Sequence, residues 1–152
     1  MANTQAMTTV FKRDLMLALH AFGATVVRGA TTKDTFKAAL YLVSATRNAS
    51  DTVYSSAGEV SGTGYTAAGV VITNANTPAI DGTTAHWTPS ASIVYPTVTL
   101  STAFDAVLIY NDTSATKLAI SVHTFGSQTV TAGTFTLTMP TDNGTTGLIR
   151  IA

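Results

Sequence analysis

Three histidines are the residues best suited to hold a metal ion or to transfer protons, and they lie far apart in the sequence. His20, His86 and His123 belong to no H-E-x-x-H motif or similar pair that would place two ligands on one face of a helix. The chain has no cysteine, which excludes thiolate catalysis, disulfide bonds and cysteine-based zinc sites. We therefore predict no metal site and no cofactor, and we interpret each histidine as a surface residue or as a core residue with a hydrogen-bonding partner.

The other motifs that resemble catalytic or binding loops are incomplete. Ser61 follows Gly58 by three residues, whereas the nucleophile elbow G-x-S-x-G needs a spacing of two. The segment Gly62-Thr63-Gly64 lacks the later glycine and the lysine of a phosphate-binding loop, and strand-like sequence follows it. Asp142-Asn143-Gly144 resembles part of a calcium loop without its other acidic ligands. We interpret these segments as turns, and we predict that the chain is not an enzyme and has no catalytic residue.

Aromatic side chains offer a different chemistry, because exposed rings can bind sugars. Trp87, Tyr95 and Phe104 could line such a platform, as aromatic residues do in lectin sites. Isolated aromatic residues more often fill the core of a domain. The sequence leaves both interpretations open, and core filling is the one that we favour.

The composition predicts a β-rich protein with a tendency to assemble. Charged residues make up 11% of the 152 residues, against about 25% in typical domains, and threonine occurs 30 times. Threonine is β-branched and suits the half-exposed face of a sheet. Eight acidic and eight basic residues cancel without forming a basic patch, so we predict no nucleic-acid partner. The low charge density also weakens repulsion between copies, which favours assembly.

No segment suggests a membrane partner or secretion. The chain has no run that approaches the roughly 18 consecutive apolar residues needed to cross a bilayer. The stretch from Met1 to Phe22 lacks the charged-then-apolar order of a secretory signal. We therefore expect synthesis in a cytosol.

From Thr25 onward, turn residues divide the chain into about eight short strands, which predicts an antiparallel β-sandwich or a jelly-roll-like barrel. Thr134–Met139 alternates threonine with apolar residues, so its threonine face should contact water or a neighbour. Val107–Tyr110 is a continuous apolar run, typical of a strand that is covered on both faces. The segment from Ser55 to Gly69 is predicted to be a long exposed loop. The predicted strands are Thr35–Ser44, Gly69–Thr73, Ala85–Thr88, Thr97–Leu100, Ala103–Asn111, Ala119–Phe125, Thr134–Met139 and Leu148–Ile151.

One amphipathic helix is predicted over residues 8–22, with Gly23 as its C-terminal cap. We divide the chain into an N-terminal helix or arm, residues 1–24, and a single β-sandwich domain, residues 25–152. The apolar stripe of the helix must be buried, either on its own domain or in a neighbouring subunit. The second alternative makes it a candidate assembly interface, formed by Phe11, Leu15, Leu19 and Phe22.

Four segments carry a resemblance that extends from about residue 30 to the C-terminus. They are Thr35–Tyr41, Tyr54–Gly69 with its core Gly58-Glu59-Val60-Ser61-Gly62-Thr63-Gly64-Tyr65-Thr66, Ala106–Asn111, and Thr134–Ile151. Together they resemble a family of small virion structural proteins of tailed bacteriophages. The resemblance implies a β-sandwich present in many copies on the particle, without enzymatic activity.

The resemblance leads us to expect a capsid decoration, or cement, protein in the virion. Its partners would be copies of itself, as a homo-oligomer, and other virion proteins, the major capsid protein first among them. The alternative is a tail, neck or fibre-associated protein, with a role in binding glycans on the host surface. A third hypothesis is a secreted carbohydrate-binding module, which the missing signal sequence disfavours.

Overall fold

The computed structural model describes residues 3–8, 11, 15, 19–23, 33–82 and 84–152. These residues form two antiparallel sheets, so the prediction of a mainly β protein is confirmed. The larger sheet has the order β1-β7-β6-β2-β3, and the smaller sheet has the order β4-β5-β8. The strands are β1 (Ala6–Met7), β2 (Phe36–Leu42), β3 (Val70–Val71), β4 (Ala79–Asp81), β5 (Thr84–Trp87), β6 (Ile93–Asn111), β7 (Ala119–Leu137) and β8 (Ile149–Ile151).

The larger sheet is built on one long hairpin, formed by β6 and β7. Each strand has 19 residues and joins two segments that the sequence predicted as separate strands. The predicted breaks at Ser101-Thr102 and at Gly126 and Gly133 lie inside these strands. They coincide with shifts in the pairing register between β6 and β7. At such a shift one strand has extra residues, which form a bulge, and both strands continue beyond it.

The long hairpin bends back on itself. Thr97 on β6 and Ala132 on β7 have positive φ angles of 51° and 45°, and both lie at register shifts. Such bulges bend a strand and increase its twist. As a result, Ile93 and Leu137 from one end of the hairpin line the same cavity of about 200 Å³ as Val107 from the other end.

The strand β2 lies between β6, the central strand of the larger sheet, and the short edge strand β3. Seven of its residues pair with β6, from Phe36 opposite Asn111 to Leu42 opposite Phe104. On its other edge, β2 pairs with β3 near Lys37, and Tyr41 forms an isolated bridge with Glu59. Pairing on both sides leaves five of the seven β2 residues buried.

One hydrophobic core connects the two sheets. Trp87 of β5 and Ile149 of β8 belong to the same buried cluster as Phe36 of β2. The ring of Phe22 lies between them, with its centroid 4.8 Å from that of Trp87 and 5.0 Å from that of Phe36. Phe11 is fully buried in this cluster as well, so residues from the predicted arm contribute to the core of the β-domain.

The predicted helix lies largely outside the described residues. Of the described residues in this span, Phe11 and Leu15 have helical backbone and residues 19–22 have irregular backbone, so the complete helix stays a prediction. Gly23, the predicted cap, has a φ of 83°. Its N–H donates a hydrogen bond to Oδ1 of Asn74 at 3.0 Å, which ties this end of the segment to the β-domain.

Two short strands were missed by the sequence analysis, β1 and β4. They have two and three residues, too few to show a periodic pattern. Contacts distant in the sequence hold β1 in place, because Ala6 pairs with Val122 and the N–H of Thr8 donates to the carbonyl of Ile120 at 3.1 Å. The other predicted strands, apart from the merged segments of β6 and β7, correspond to β2, β3, β5 and β8.

Candidate functional site

The two halves of the long hairpin differ in burial. We call Ala106–Asn111 with Ala119–Val122 the inner half, and Ile93–Phe104 with Phe125–Leu137 the outer arm. Every residue of the inner half is buried, whereas no β7 residue of the outer arm is. In the inner half Val107 and Leu108 belong to different buried clusters, one on each face of the sheet. The prediction of a strand covered on both faces is therefore confirmed.

The outer arm presents a threonine face. Thr134, Thr136 and Thr138 are exposed, and Phe135 and Leu137 between them are half-buried. The alternation predicted from the sequence is confirmed. The half-buried side chains pack only partly against the core, so the arm has apolar surface in addition to its hydroxyl groups.

The outer arm also has no charge and one open edge. Neither of its two segments contains Asp, Glu, Lys or Arg. On the outer side of β7, the described strands pair only with Ser121 and Val122, which face Met7 and Ala6. From His123 to Leu137, no strand of the described residues covers the backbone of this edge. Among the described residues, the arm therefore combines a hydroxyl-rich face with an edge that no strand covers.

A second exposed apolar surface lies on the smaller sheet. Ala85 of β5 stands directly opposite Ile80 of β4 and Ile151 of β8, so the three side chains form a row on one face. Ile80 is 79% exposed and Ile151 is 47% exposed. Beside this row, Leu15 and Phe22 help to line an apolar groove of about 180 Å³.

The four residues of the candidate assembly interface are divided between core and surface. Phe11 is fully buried in the chain's own core, and its ring centroid lies 5.8 Å from that of Phe22. Leu15 and Phe22 are half-buried and line the apolar groove. Leu19 is 43% exposed. A contact of Leu15, Leu19 or Phe22 with a neighbouring subunit stays a prediction.

The glycine-rich segment of the family resemblance surrounds one carboxylate, that of Glu59. Tyr54 donates a hydrogen bond to Oε2 at 2.5 Å, and Tyr65 donates to Oε1 at 2.7 Å. The backbone N–H of Ala68 also donates to Oε1, at 2.8 Å. Since Tyr65 in turn accepts a hydrogen bond from the N–H of Leu40, the carboxylate ties the segment to β2.

The glycines of this segment allow it to lie directly on neighbouring backbone. A Cβ at Gly69 would overlap with the carbonyl of Ala38, and one at Gly62 would overlap with that of Thr99. Thr63 bridges to Thr99, whose N–H donates to the Thr63 carbonyl at 2.8 Å. The predicted loop from Ser55 to Gly69 is thus exposed in many of its residues but is hydrogen-bonded to two strands.

Burial changes the acidity of the tyrosines around this segment. It raises the pKa of Tyr41 to about 12, with Arg47 acting in the opposite direction. Burial also raises the pKa of Tyr65, and the hydrogen bond to Glu59 raises it further. These hydroxyl groups stay protonated at neutral pH, so they act as hydrogen-bond donors.

His20 and His86 have the structural environments that the sequence analysis favoured. The Nδ1 of His20 lies 3.3 Å from the amide nitrogen of Asn111, which itself donates to Asp34 at 2.9 Å. The Nδ1 of His86 lies 2.9 Å from Oδ1 of Asp142. Both rings are buried, so each is a core residue with a partner. The predicted turn at Asp142-Asn143-Gly144 is confirmed by hydrogen bonds from the N–H groups of residues 145 and 146 to Oδ1 of Asn143.

His123 lines a cavity of about 490 Å³ to which residues of β1 and β8 also contribute. Its Nε2 is 2.9 Å from Oγ of Ser121, two residues earlier on the same strand. Burial lowers the pKa of His123 to about 4, so the ring is neutral at pH 7. Arg150 and Gln5 also line this cavity. The Ser121 hydroxyl is buried, and its hydrogen bond to His123 stabilises the point where β7 leaves the inner half.

The aromatic residues considered for a sugar platform fill the core. Trp87, Tyr95 and Phe104 are all almost completely buried. Tyr95 donates a hydrogen bond to the carbonyl of Ala38 at 2.9 Å, and Trp87 donates to that of Asn76 at 3.0 Å. The core-filling interpretation is confirmed, and these three rings present no platform to a sugar.

The described residues bring no three potential metal ligands of the His, Cys, Asp and Glu types together. No helix in that part of the chain has the length and apolar character that a membrane crossing requires. Comparisons with models of protein families, with curated proteins and with solved structures found no match.

The open edge of β7 was not predicted from the sequence. Gly126 and Gly133 led to a prediction of two short strands in place of β7, and a short strand has only a short edge. One available signal was the absence of charge from Leu118 to Thr141. Charged residues and proline usually protect exposed strand edges, so an uncharged stretch of this length is a signal of an edge without that protection.

Proposed function

We propose that this chain is a non-enzymatic structural protein of a tailed-bacteriophage virion, which binds copies of itself and other virion proteins through its β-surfaces. The observation that carries the proposal is the uncharged outer arm with its open edge. A soluble monomer with an exposed, uncharged strand edge is prone to uncontrolled association. A protein whose edge is covered in an assembly has no such disadvantage.

The fold proposed for this role is a β-sandwich or a jelly-roll-like barrel. Two sheets share one core, and the bent hairpin contributes to both sides of it. Such a domain has broad faces, and standard protein interfaces bury roughly 1,200–2,000 Å² in total. The threonine face of the outer arm and the apolar row on the smaller sheet would supply contact surface in two directions.

Within the virion, we propose capsid decoration as the role, with the major capsid protein as the main partner. The resemblance from Thr35 to Ile151 supports a virion protein present in many copies. The hydrogen-bonded Glu59 segment also favours this role, because it stiffens the side of the domain that carries the resemblance. A decoration protein resists internal pressure by adding buried interface across the joints between capsid subunits.

Location in the tail, neck or fibre is the alternative, and the copy number distinguishes the two. Quantitative mass spectrometry of purified particles, with the major capsid protein as internal standard, should find hundreds of copies of a decoration protein. About a dozen copies or fewer would place the chain in the tail or neck. Its absence from washed particles would overturn the virion proposal and favour a secreted carbohydrate-binding module.

A binding experiment tests the role of the outer arm directly. Purified protein is added to particles that lack it, and the bound fraction is measured after sedimentation. We expect Thr136→Lys, which puts a charge on the threonine face, to reduce binding at least tenfold. The matched control is Ala115→Lys, which adds the same charge at an exposed position of the turn between β6 and β7. Equal binding of the two variants would argue against the arm as the contact surface.

A further inference from the structure

The edge strands of both sheets contribute residues to one cavity, which has a volume of about 490 Å³. The strand β1 lies at one end of the larger sheet, and β8 lies at one end of the smaller sheet. Cavities that bind small molecules typically have volumes of roughly 300–1,000 Å³, so this cavity has the size of a ligand site. We call it the edge cavity, and its lining includes Gln5, Met7, Ser121, His123, Gly147 and Arg150.

The larger sheet contributes both polar and apolar groups to the lining. Met7 of β1 pairs with Ser121 of β7. His123 follows Ser121 by two residues on the same strand, so the two side chains lie on one face of the sheet. The Nε2 atom of His123 is 2.9 Å from Oγ of Ser121. An imidazole ring, a hydroxyl group and a thioether side chain therefore meet in the edge cavity.

The second ring nitrogen of His123 is available to a ligand. Nε2 bonds to Ser121, and Nδ1 has no hydrogen-bonding partner among the described residues. Burial lowers the pKa of His123 to about 4, so the ring is neutral at pH 7. In the neutral tautomer that accepts the Ser121 hydroxyl proton at Nε2, Nδ1 carries a hydrogen and is a donor. An acceptor on a ligand would satisfy this donor.

Arg150 of β8 adds a positive charge to the lining. Its guanidinium group donates a hydrogen bond to the carbonyl of Thr145. Within the described part of the chain it forms no ion pair, and none of the described lining residues is Asp or Glu. A guanidinium group has five N–H donors in a planar fork that matches the geometry of a carboxylate. The edge cavity therefore favours an anion, and a carboxylate in particular.

The loop before β8 holds its part of the lining in a fixed position. The N–H groups of Thr145 and Thr146 donate to Oδ1 of Asn143, both at 2.8 Å. The N–H of Gly147 donates to the carbonyl of Asn143 at 2.9 Å. Thr146 and Gly147 both line the edge cavity. A site formed in advance loses less conformational entropy when a ligand binds.

We infer that the edge cavity binds a small carboxylate that also carries hydroxyl groups, which is the chemistry of an acidic sugar. Arg150 pairs with the carboxylate, His123 and Gln5 form hydrogen bonds with hydroxyl groups, and Met7 packs against the C–H groups of the ligand. This binding site goes beyond the assembly role proposed above and does not depend on it.

Calorimetric titration of the purified protein with D-glucuronate tests the inference. D-glucose is the neutral control, because it has the same ring and a hydroxyl group in place of the carboxylate. Acetate is the second control, because it has the carboxylate without the hydroxyl groups. We expect D-glucuronate to bind at least tenfold more tightly than either control.

Each other outcome of this titration contradicts a stated part of the inference. Equal binding of D-glucuronate and acetate would show that the hydroxyl groups are not recognised, and it would overturn the acidic sugar as the ligand class. Equal binding of D-glucuronate and D-glucose would show that the carboxylate is not recognised. An absence of D-glucuronate binding would overturn the site itself.

A matched pair of variants tests the role of Arg150. Arg150→Gln removes the charge from an exposed residue, and we expect it to raise the dissociation constant for D-glucuronate at least tenfold. The control is Lys117→Gln, which removes the same charge from the turn between β6 and β7 and should change the constant less than twofold. Equal losses would indicate general attraction to a positive chain and would overturn the role of Arg150. Circular dichroism verifies that both variants are folded.

Nuclear magnetic resonance then locates the ligand on the wild-type protein. We expect D-glucuronate to shift the backbone amide signals of Ser121, His123 and Gly147, and shifts confined to other residues would overturn the edge cavity as the site. A disaccharide with a terminal glucuronate distinguishes the two sources of this chemistry. Binding of both sugars supports the end of a glycan as the natural ligand, and binding of the monosaccharide alone supports a free sugar acid. These measurements use the purified chain, so their outcome is independent of its copy number in virions.

Discussion

The inner half and the outer arm belong to the same two strands, yet they have different physical roles. In the inner half both faces of the sheet are buried, by Val107 and its cluster on one side and by Leu108 and its cluster on the other. In the outer arm one face is half-buried and the other is a threonine surface. The difference shows that one hairpin can both stabilise a domain and present an exposed threonine face.

The comparison predicts that substitutions in the inner half have the largest effect on stability. Leu108 is fully buried in a cluster that includes Tyr41 and Tyr110. Leu108→Ala would leave a cavity and should lower the free energy of unfolding by about 2–5 kcal/mol. Urea denaturation followed by circular dichroism measures this change. A loss below about 1 kcal/mol would mean that this face of the inner half is not a close-packed core.

The burial of these two regions was predictable from the sequence because each has its own pattern of apolar residues. The apolar run at Val107–Tyr110 predicts two covered faces, and the alternation at Thr134–Met139 predicts one. The continuity of β7 was not predictable, since Gly126 and Gly133 usually end strands and only the pairing with β6 carries the chain through them.

The hydrogen bonds around Glu59 were likewise not predictable from the sequence. Its hydrogen bonds join it to tyrosines on both sides of the glycine-rich segment, and no motif specifies that arrangement. The burial of Phe11 was left open, because an amphipathic stripe shows that a face is covered and does not show by which subunit. The resemblance includes the segment around Glu59, but it gave no indication of these hydrogen bonds.

The buried tyrosines predict a loss of stability in alkali. Burial raises the pKa of Tyr41 from 10.0 to about 12. Above pH 10 the unfolded chain loses this proton while the folded protein retains it, so stability should fall as the pH rises from 10 to 12. The shift corresponds to roughly 3 kcal/mol for this residue. Urea denaturation at pH 9, 10 and 11 tests the prediction, and Tyr41→Phe should show a smaller decrease than the wild type.

Substitution of Glu59 should lower the free energy of unfolding less than substitutions in the inner half and more than substitutions in the outer arm. Glu59→Gln keeps the size of the side chain but places an NH2 group where one of its donors now binds. One tyrosine or the Ala68 N–H then lacks an acceptor, which should cost about 1–2 kcal/mol. Thermal unfolding measures the loss. Tyr54→Phe, which removes a single hydrogen bond, should cost less, and the reverse order would contradict this account of the segment.

His123 stands at the junction of the two halves, and its titration should weaken the protein in acid. Burial lowers the pKa of His123 to about 4, against 6.5 in the unfolded chain. Below pH 6.5 the unfolded chain binds a proton that the folded protein excludes, so stability should fall between pH 6.5 and 4. The ring keeps some solvent exposure, and we expect a loss of about 1 kcal/mol. In His123→Gln the stability should depend less on pH over this range.

The smallest effect is expected for Val94→Thr, whose matched substitution in the inner half is Val107→Thr. Val94 lies on the outer arm opposite Thr136 and is 43% exposed, whereas Val107 lies in the inner half opposite His123 and is buried. Val94→Thr adds a hydroxyl that water can hydrate, so the free energy of unfolding should change by less than about 0.5 kcal/mol. Val107→Thr buries the same hydroxyl and should cost about 1–3 kcal/mol. Both values come from urea denaturation of the matched pair. Equal losses would show that the outer arm is packed as tightly as the inner half. Its threonine face would then be packed against the rest of the chain and would not be available for assembly.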